Sequence, residues 1–337
     1  MNKFLHPALI VVLSFALFGC GGAEYQVMSG QTMGTYYALK YQAGAICQPQ
    51  QVDVDALLDG VNASMSTYRD DSELSRINAS EAMEWVSISA SLGKVLSAAN
   101  NVYRQSSGAF DVTVGPLVNL WGFGPANAGD EPDAAAQSNA AARVGMHKLQ
   151  VEGDRLRKAR PDLYIDLSAL AKGFGVDELV RYMNETGCTD FMVDIGGEIR
   201  TAGTNDKGRA WRVGIESPQP EQLGGVHRVL QGQGMAVATS GDYRNYRIVD
   251  GRRVGHVLDP RTGTPADNHV VSATVVHASA MWADAYATAL MVLGWQAGQQ
   301  FAEEYRLPVF LIRRNSTGEE RFESFYNEAM AQYLVAP

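Results

Sequence analysis

Apolar residues recur along this chain in two distinguishable rhythms. Val54, Leu57, Leu58, Val61 and Met65 return every three or four positions, which predicts a helix with one buried face. Leu92, Val95, Leu96, Ala99, Val102 and Tyr103 repeat that spacing, with Ser89 placed to cap the start and Gly108 to stop it. A third helix is predicted after Ser168, carrying Val176, Leu179, Val180 and Met183. A fourth, almost wholly apolar, covers residues 280–293, where Gly294 closes it before another helix. Extended structure is predicted for residues 32–41, rich in Thr and Tyr, and for a hairpin over 149–156 around Gly153-Asp154. From 191 to 276 short β runs alternate with glycine, and Asp250-Gly251 suits a tight type I′ turn. Residues 126–142 read as a surface loop leading into a short helix, and 309–312 as the last buried strand. No repeat of fixed period and no long low-complexity linker divides the chain. The pattern predicts one α+β unit of about 300 residues, built from two packed subregions.

Composition narrows the classes of function. Of 337 residues, 46% are apolar and 19% charged, enough to bury a sizeable core. A formal charge of -9 argues against a general nucleic-acid binder, which needs excess cationic surface to meet phosphates. Three cysteines without a Cys-x-x-Cys pair exclude a disulfide scaffold and a cysteine-rich zinc module. The N-terminus is different in kind. Lys3, the apolar run 8–18 and the ending Leu17-Phe18-Gly19-Cys20 predict a lipoprotein-type signal over residues 1–19. Residues 20–337 would then be the mature domain, with Cys20 acylated (palmitate among the chains) and the protein held at a membrane surface. An uncleaved anchor helix is the other reading, although the run is short for a span. Cys47 and Cys188 could pair in an oxidising compartment, but sequence alone does not place their Cα atoms within bridging distance, and they are read as free thiols.

Common cofactor and hydrolase motifs are absent: the chain has no GxxxxGK[ST], no complete GxGxxG, no HExxH and no GxSxG. Five other segments set glycine beside acidic or hydroxyl residues. Gly30 and Gly34 flank Met33, whose thioether offers an adaptable surface to a flat ring, or mark a bulged strand. Tyr68 can stack on a heteroaromatic ring, and the Ala109-Phe110-Asp111 stretch can present a carboxylate, although aromatics at helix ends more often pack in the core. Asp166 and Lys172 sit where a strand runs into a helix, a position suited to phosphate, or to a cap and a solvated lysine. His256 precedes Leu258-Asp259-Pro260-Arg261-Thr262-Gly263 and can accept a proton near neutral pH, or simply pack. Asp284 and Thr288 lie four apart on the apolar helix and share one face. A buried carboxylate needs a partner, which can be Thr288, an arginine, or a hard cation such as Mg²⁺ or Ca²⁺.

In this order, GQTMGT, MSTYRDDSELSR, GAFDVTVGPL, DLSALAKG, VDIGGEI, TSGDYRNY, HVLDPRTG and MWADAYATAL resemble the ApbE family of FAD:protein FMN transferases. The resemblance implies an α+β fold of antiparallel sheets with packed helices, similar to tunnelling-fold units. It implies transfer of FMN from FAD to a threonine or serine hydroxyl of an acceptor, with release of AMP. By motif, Met33, Tyr68, Ala109, Phe110, Asp111, Asp166, Lys172 and Leu258 would contact FAD. The Ala169 carbonyl, Asp284 and Thr288 would hold Mg²⁺, and His256 is the first candidate for the base. The implied acceptors are flavoprotein subunits of membrane redox complexes. The implied location is the periplasmic side of a bacterial membrane, inner in preference to outer. An FAD pyrophosphatase and a non-catalytic flavin-binding lipoprotein are the competing readings.

Overall fold

The computed structural model describes residues 24–124, 132–219, 224–242, 246–249, 252–315 and 321–336. The signal, Cys20, residues 126–131 of the expected surface loop and the Asp250-Gly251 turn lie outside the described residues. Eight antiparallel strands form the main sheet, side by side in the order in which the chain makes them. They are β1 (Tyr25–Thr32), β2 (Thr35–Gln42), β3 (Phe191–Ile195), β4 (Glu198–Ala202), β5 (Ala236–Gly241), β6 (Val270–His277), β7 (Val309–Arg314) and β8 (Phe322–Tyr326). Of four long helices, α1 (Gln51–Met65), α3 (Ala171–Glu185) and α4 (Ala280–Glu304) pack on it, and α2 (Ala90–Gln105) packs on α4.

The sheet is buried on both sides at its centre, so β6 is buried from Val270 to Val276, its Ser272 and Thr274 included. On one face Val270, Ala273 and Val275 meet Ala283, Ala287 and Leu290 of α4, in the same core as the predicted stripe of α2. On the other, Val271, Val276, Phe310 and Ile312 pack against a small sheet carrying Val213, Ile215 and Leu230. Ser89 caps α2 by accepting from the Leu92 amide, as its position suggested. Gly294 breaks α4 with φ 78°, and Asn268 takes over there, donating to the carbonyls of Met291 and Val292. Among the described residues no helix is long and apolar enough to cross a membrane.

Three expectations need correction. Residues 32–41 are not one strand. Thr32 pairs with Thr35, and Met33 (φ 50°) and Gly34 (φ 71°) form the two-residue turn between β1 and β2. The strand at 309 is not the last, because β8 and a short strand at Leu334–Val335 follow it. Cys47 and Cys188 are not free thiols but a disulfide, with Cα atoms 4.5 Å apart. Adjacency of β2 and β3 brings the loop after one strand beside the loop before the other. Sequence spacing carries no trace of that.

Candidate active site

Two cavities, of about 460 and 690 Å³, meet at Tyr68, Ser168 and Lys172 and form one cleft. The described residues that the motifs assign to FAD, to Mg²⁺ or to the base all border it. Met33 lines the larger cavity and Tyr68 and Lys172 line both. Ala109, Phe110, Asp111, Asp166, Ala169, His256, Leu258, Asp284 and Thr288 line the smaller one.

The β1–β2 turn forms one rim of the larger cavity with Met33 and Gly34, and α1 lines it with Val61, Asn62 and Met65. A methionine in the left-handed region is strained by about 1–2 kcal/mol, a cost that persists only where the surroundings hold it. The surroundings here are specific. A Cβ on Gly175 would stand 3.1 Å from the Met33 methyl group, so the glycine of α3 leaves room for that side chain. Tyr68 is 70% exposed at the junction of the cavities, open to stacking by a planar ring.

The smaller cavity is organised by α3 and α4, each of which caps the other. Leu170 begins α3 without a side-chain cap, and the Gly173 amide donates 3.2 Å to Asp284 Oδ2 of α4. In return Asp177 of α3 accepts from the Ser279 hydroxyl and from the amides of Ala280 and Met281, at 2.5, 3.0 and 3.1 Å. Arg200 also donates to Asp177 at 2.8 Å. The exchange needs close helices, and Gly173 allows it. A Cβ there would fall 2.5 Å from the Ala280 carbonyl carbon and 2.7 Å from the Met281 Cα. With the Gly173 amide diverted to Asp284, α3 leaves the Ala169 carbonyl outside the helical ladder.

This packing buries a charge cluster. Asp284 is 3% and Glu198 4% exposed. Lys172 Nζ lies 3.2 Å from Glu198 Oε1 and 3.5 Å from Asp284 Oδ2. Burial alone would push the lysine down, but the two carboxylates outweigh it and hold its pKa above the ordinary value. Both carboxyls are raised, chiefly by burial and against the pull of Lys172. Two acids around one ammonium leave a surplus of negative charge when both are ionised. Ser240 and Thr288 hydroxyls stand 3.2 Å apart beside it. Among the described residues no three His, Cys, Asp or Glu side chains gather as a metal cluster. A cation at Asp284 would therefore draw on hydroxyl and carbonyl oxygens as well. Such hard donors and the surplus charge fit Mg²⁺.

Other predicted residues serve the walls. Asp111 is buried and accepts from the Thr113 amide and hydroxyl and the Met146 amide, which bolts its loop in place. Burial lifts its pKa, and those donors oppose the lift. Asp166 accepts from the amide and hydroxyl of Ser168, before α3 begins, so it shapes the approach to the helix but does not cap it, and the strand expected to lead into α3 is irregular chain instead. His256 follows the strand Arg252–Gly255 and meets Phe123 edge-on at 6.3 Å between ring centres. Asp259 anchors the turn beyond it through the amide and guanidinium of Arg261. Glu198 and Ser240 are the residues that sequence reasoning missed. VDIGGEI and TSGDYRNY contain them, but no local pattern distinguishes a buried glutamate at a strand start from an exposed one.

Known proteins match this arrangement along nearly the whole chain. The sequence model of the ApbE family matches residues 33–311. An FAD:protein FMN transferase from Vibrio cholerae is 44% identical over 322 residues, which cover 94% of this chain and 96% of the relative. One from Haemophilus influenzae is 39% identical over 329 residues, covering 94% and 95%. Among solved structures, the flavin transferase ApbE from Vibrio cholerae matches with a TM-score of 0.86 and 42% identity over 93% of this chain and 100% of that one. The apo form of Pseudomonas stutzeri flavinyl transferase ApbE matches with a TM-score of 0.84 and 35% identity over 93% and 98%. On its sequence and its fold alike, the chain belongs to the ApbE family.

Proposed function

We propose that this chain transfers FMN from FAD to a threonine or serine hydroxyl of an acceptor protein and releases AMP. The observation that carries the reading is the convergence of Lys172, Asp284, Thr288 and His256 on one cavity, joined at Tyr68 to a second that is large enough for a flavin half. In the reaction the acceptor oxygen bonds to the phosphorus of the FMN half, and the P–O bond to AMP breaks. The hydroxyl proton passes to a ring nitrogen of His256. Lys172, held charged by its two carboxylates, faces the pyrophosphate. Tyr68 and Met33 hold the isoalloxazine ring in place while the buried walls around Phe110 and Leu258 keep water out. Asp284, Thr288 and the Ala169 carbonyl would hold Mg²⁺, which when bound supplies Lewis-acid polarisation of the phosphate and charge for the leaving AMP.

The test combines the purified chain, FAD, Mg²⁺ and a candidate acceptor. In-gel flavin fluorescence on the acceptor together with AMP is the expected result. AMP and free FMN without labelled acceptor would make the chain an FAD pyrophosphatase, and unchanged FAD would leave only flavin binding. EDTA should abolish transfer; full activity in EDTA would remove the metal from the reading.

We also propose that the mature chain is acylated at Cys20 and acts on the periplasmic side of a bacterial membrane, inner in preference to outer. Its acceptors would be flavoprotein subunits of membrane redox complexes. The Cys47–Cys188 disulfide supports export, because such bonds persist in oxidising compartments. Mass spectrometry of the membrane-extracted N-terminus should find a lipid adduct on Cys20; an intact Met1 would sink this part.

A further inference from the structure

Glu198 begins β4 directly after the Gly196-Gly197 turn, whose positive φ angles of 60° and 103° aim the strand start into the cleft. One carboxylate oxygen meets Lys172 at 3.2 Å; the other, Oε2, is buried without a hydrogen-bond partner among the described residues. A buried acceptor left in that state is costly, so its persistence asks for a use. Lys172 has a second partner, Asp284 Oδ2, at 3.5 Å. Asp284 is also the one carboxylate that the proposed cation site offers. Lysine and a divalent cation thus compete for the same oxygens.

We propose that Glu198 is a positioning residue that draws Lys172 away from Asp284 when a divalent cation binds there. The inference rests on the reading of Asp284 as a cation ligand. Without the cation, the ammonium of Lys172 bridges the two acids and stands in for the missing positive charge. When the cation claims Asp284, like charges push Lys172 toward the remaining acid, and Glu198 Oε2 is the acceptor waiting for it. The side chain then keeps its charge and stays beside the cavity, where an anionic pyrophosphate meets it. No bond is made or broken in the exchange. Remove the Glu198 charge, and Lys172 has only Asp284 to pair with, so the cation must displace a tighter ion pair.

The experiment is a double-mutant cycle read by direct Mn²⁺ binding to the full chain, using electron paramagnetic resonance of free Mn²⁺ and no turnover. Wild type, Glu198→Gln, Lys172→Met and the double variant are compared, each first shown to be folded by circular dichroism. Glu198→Gln should weaken Mn²⁺ by about tenfold or more with Lys172 present, and by no more than about two- to threefold in the Lys172→Met background, a coupling expected of residues that act through each other. Lys172→Met alone should bind Mn²⁺ at least as tightly as wild type. If Glu198→Gln does not fold, Glu198→Asp, which keeps the charge on a shorter reach, replaces it in the same cycle with smaller shifts of the same sign. An equal loss in both backgrounds would mean that Glu198 pulls on the cation directly, and overturns the inference while leaving the metal site intact. No Mn²⁺ binding by the wild type overturns the reading of Asp284 and this inference with it.

Discussion

Breaking the Cys47–Cys188 disulfide should destabilise the protein strongly without altering its chemistry. The bridge closes a loop of 141 residues, and the loop-closure entropy it removes from the unfolded chain corresponds to about 5 kcal/mol at 25 °C. Both sulfurs are buried in the core that packs α1 and α3 against the β1–β3 end of the sheet, so replacement also leaves small defects there. Native bridges of this kind contribute about 2–5 kcal/mol when removed, and the long loop places this one toward the upper end. With a urea dependence of about 3 kcal/mol per molar for a chain of this size, the midpoint of unfolding should fall by about 1–2 M. The assay is urea unfolding of wild type with and without reductant, beside Cys47→Ser/Cys188→Ser, followed by tryptophan fluorescence. Cys188 lies past the C-terminus of α3 and Lys172 at its N-terminus, about 20 Å apart at 1.5 Å per residue. Flavin transfer at low temperature should therefore be unchanged in the folded variant. Coincident unfolding curves for oxidised and reduced protein would refute the reasoning, as would two free thiols in the denatured exported protein.

Gly173→Ala tests the sign of two opposed effects. Helix propensity favours alanine by about 1 kcal/mol, but the added Cβ meets backbone of α4, and overpacking of about 1–3 kcal/mol should win and reduce Mn²⁺ binding. The control is Gly60→Ala in α1, where a Cβ meets nothing within 4 Å, so the melting temperature should rise by a degree or more. His256→Ala should slow FMN transfer roughly 10²–10⁴-fold with little change in FAD affinity, because the proton it removes belongs to the other substrate; near-normal turnover at saturation would exclude it as the base. His277 accepts from the Ser279 amide, and its burial holds its pKa below the free value of 6.5. Below that pH the unfolded chain binds the proton first, so stability should fall as pH drops from 6.5 toward the native pKa, and His277→Gln should lose that slope in pH-dependent melts.

Much of this protein was legible locally. The stripes of α1 and α2, the Ser89 cap and the Gly294 break are all set by residues within a turn or two of one another, and the structure reproduces them. The ordered motifs pointed to Met33, Tyr68, Lys172, His256, Asp284 and Thr288, and all of these border one cleft. What lay beyond reach required distant elements to be brought together. Met33 looked like part of a strand because Thr and Tyr continue on both sides, and only pairing between β1 and β2 forces it into a turn. Asp111 has the same composition around it whether or not it bolts a loop, and only the fold shows the three donors from Thr113 and Met146 that hold it at the cleft wall. Cys47 meets Cys188 because β2 lies beside β3. Glu198, Lys172 and Asp284 come from a strand and two helices that are far apart in sequence. Their charges interact only because Gly173 lets two backbones touch and shuts water out, and neither a missing side chain nor a lowered dielectric leaves a periodic mark in a sequence.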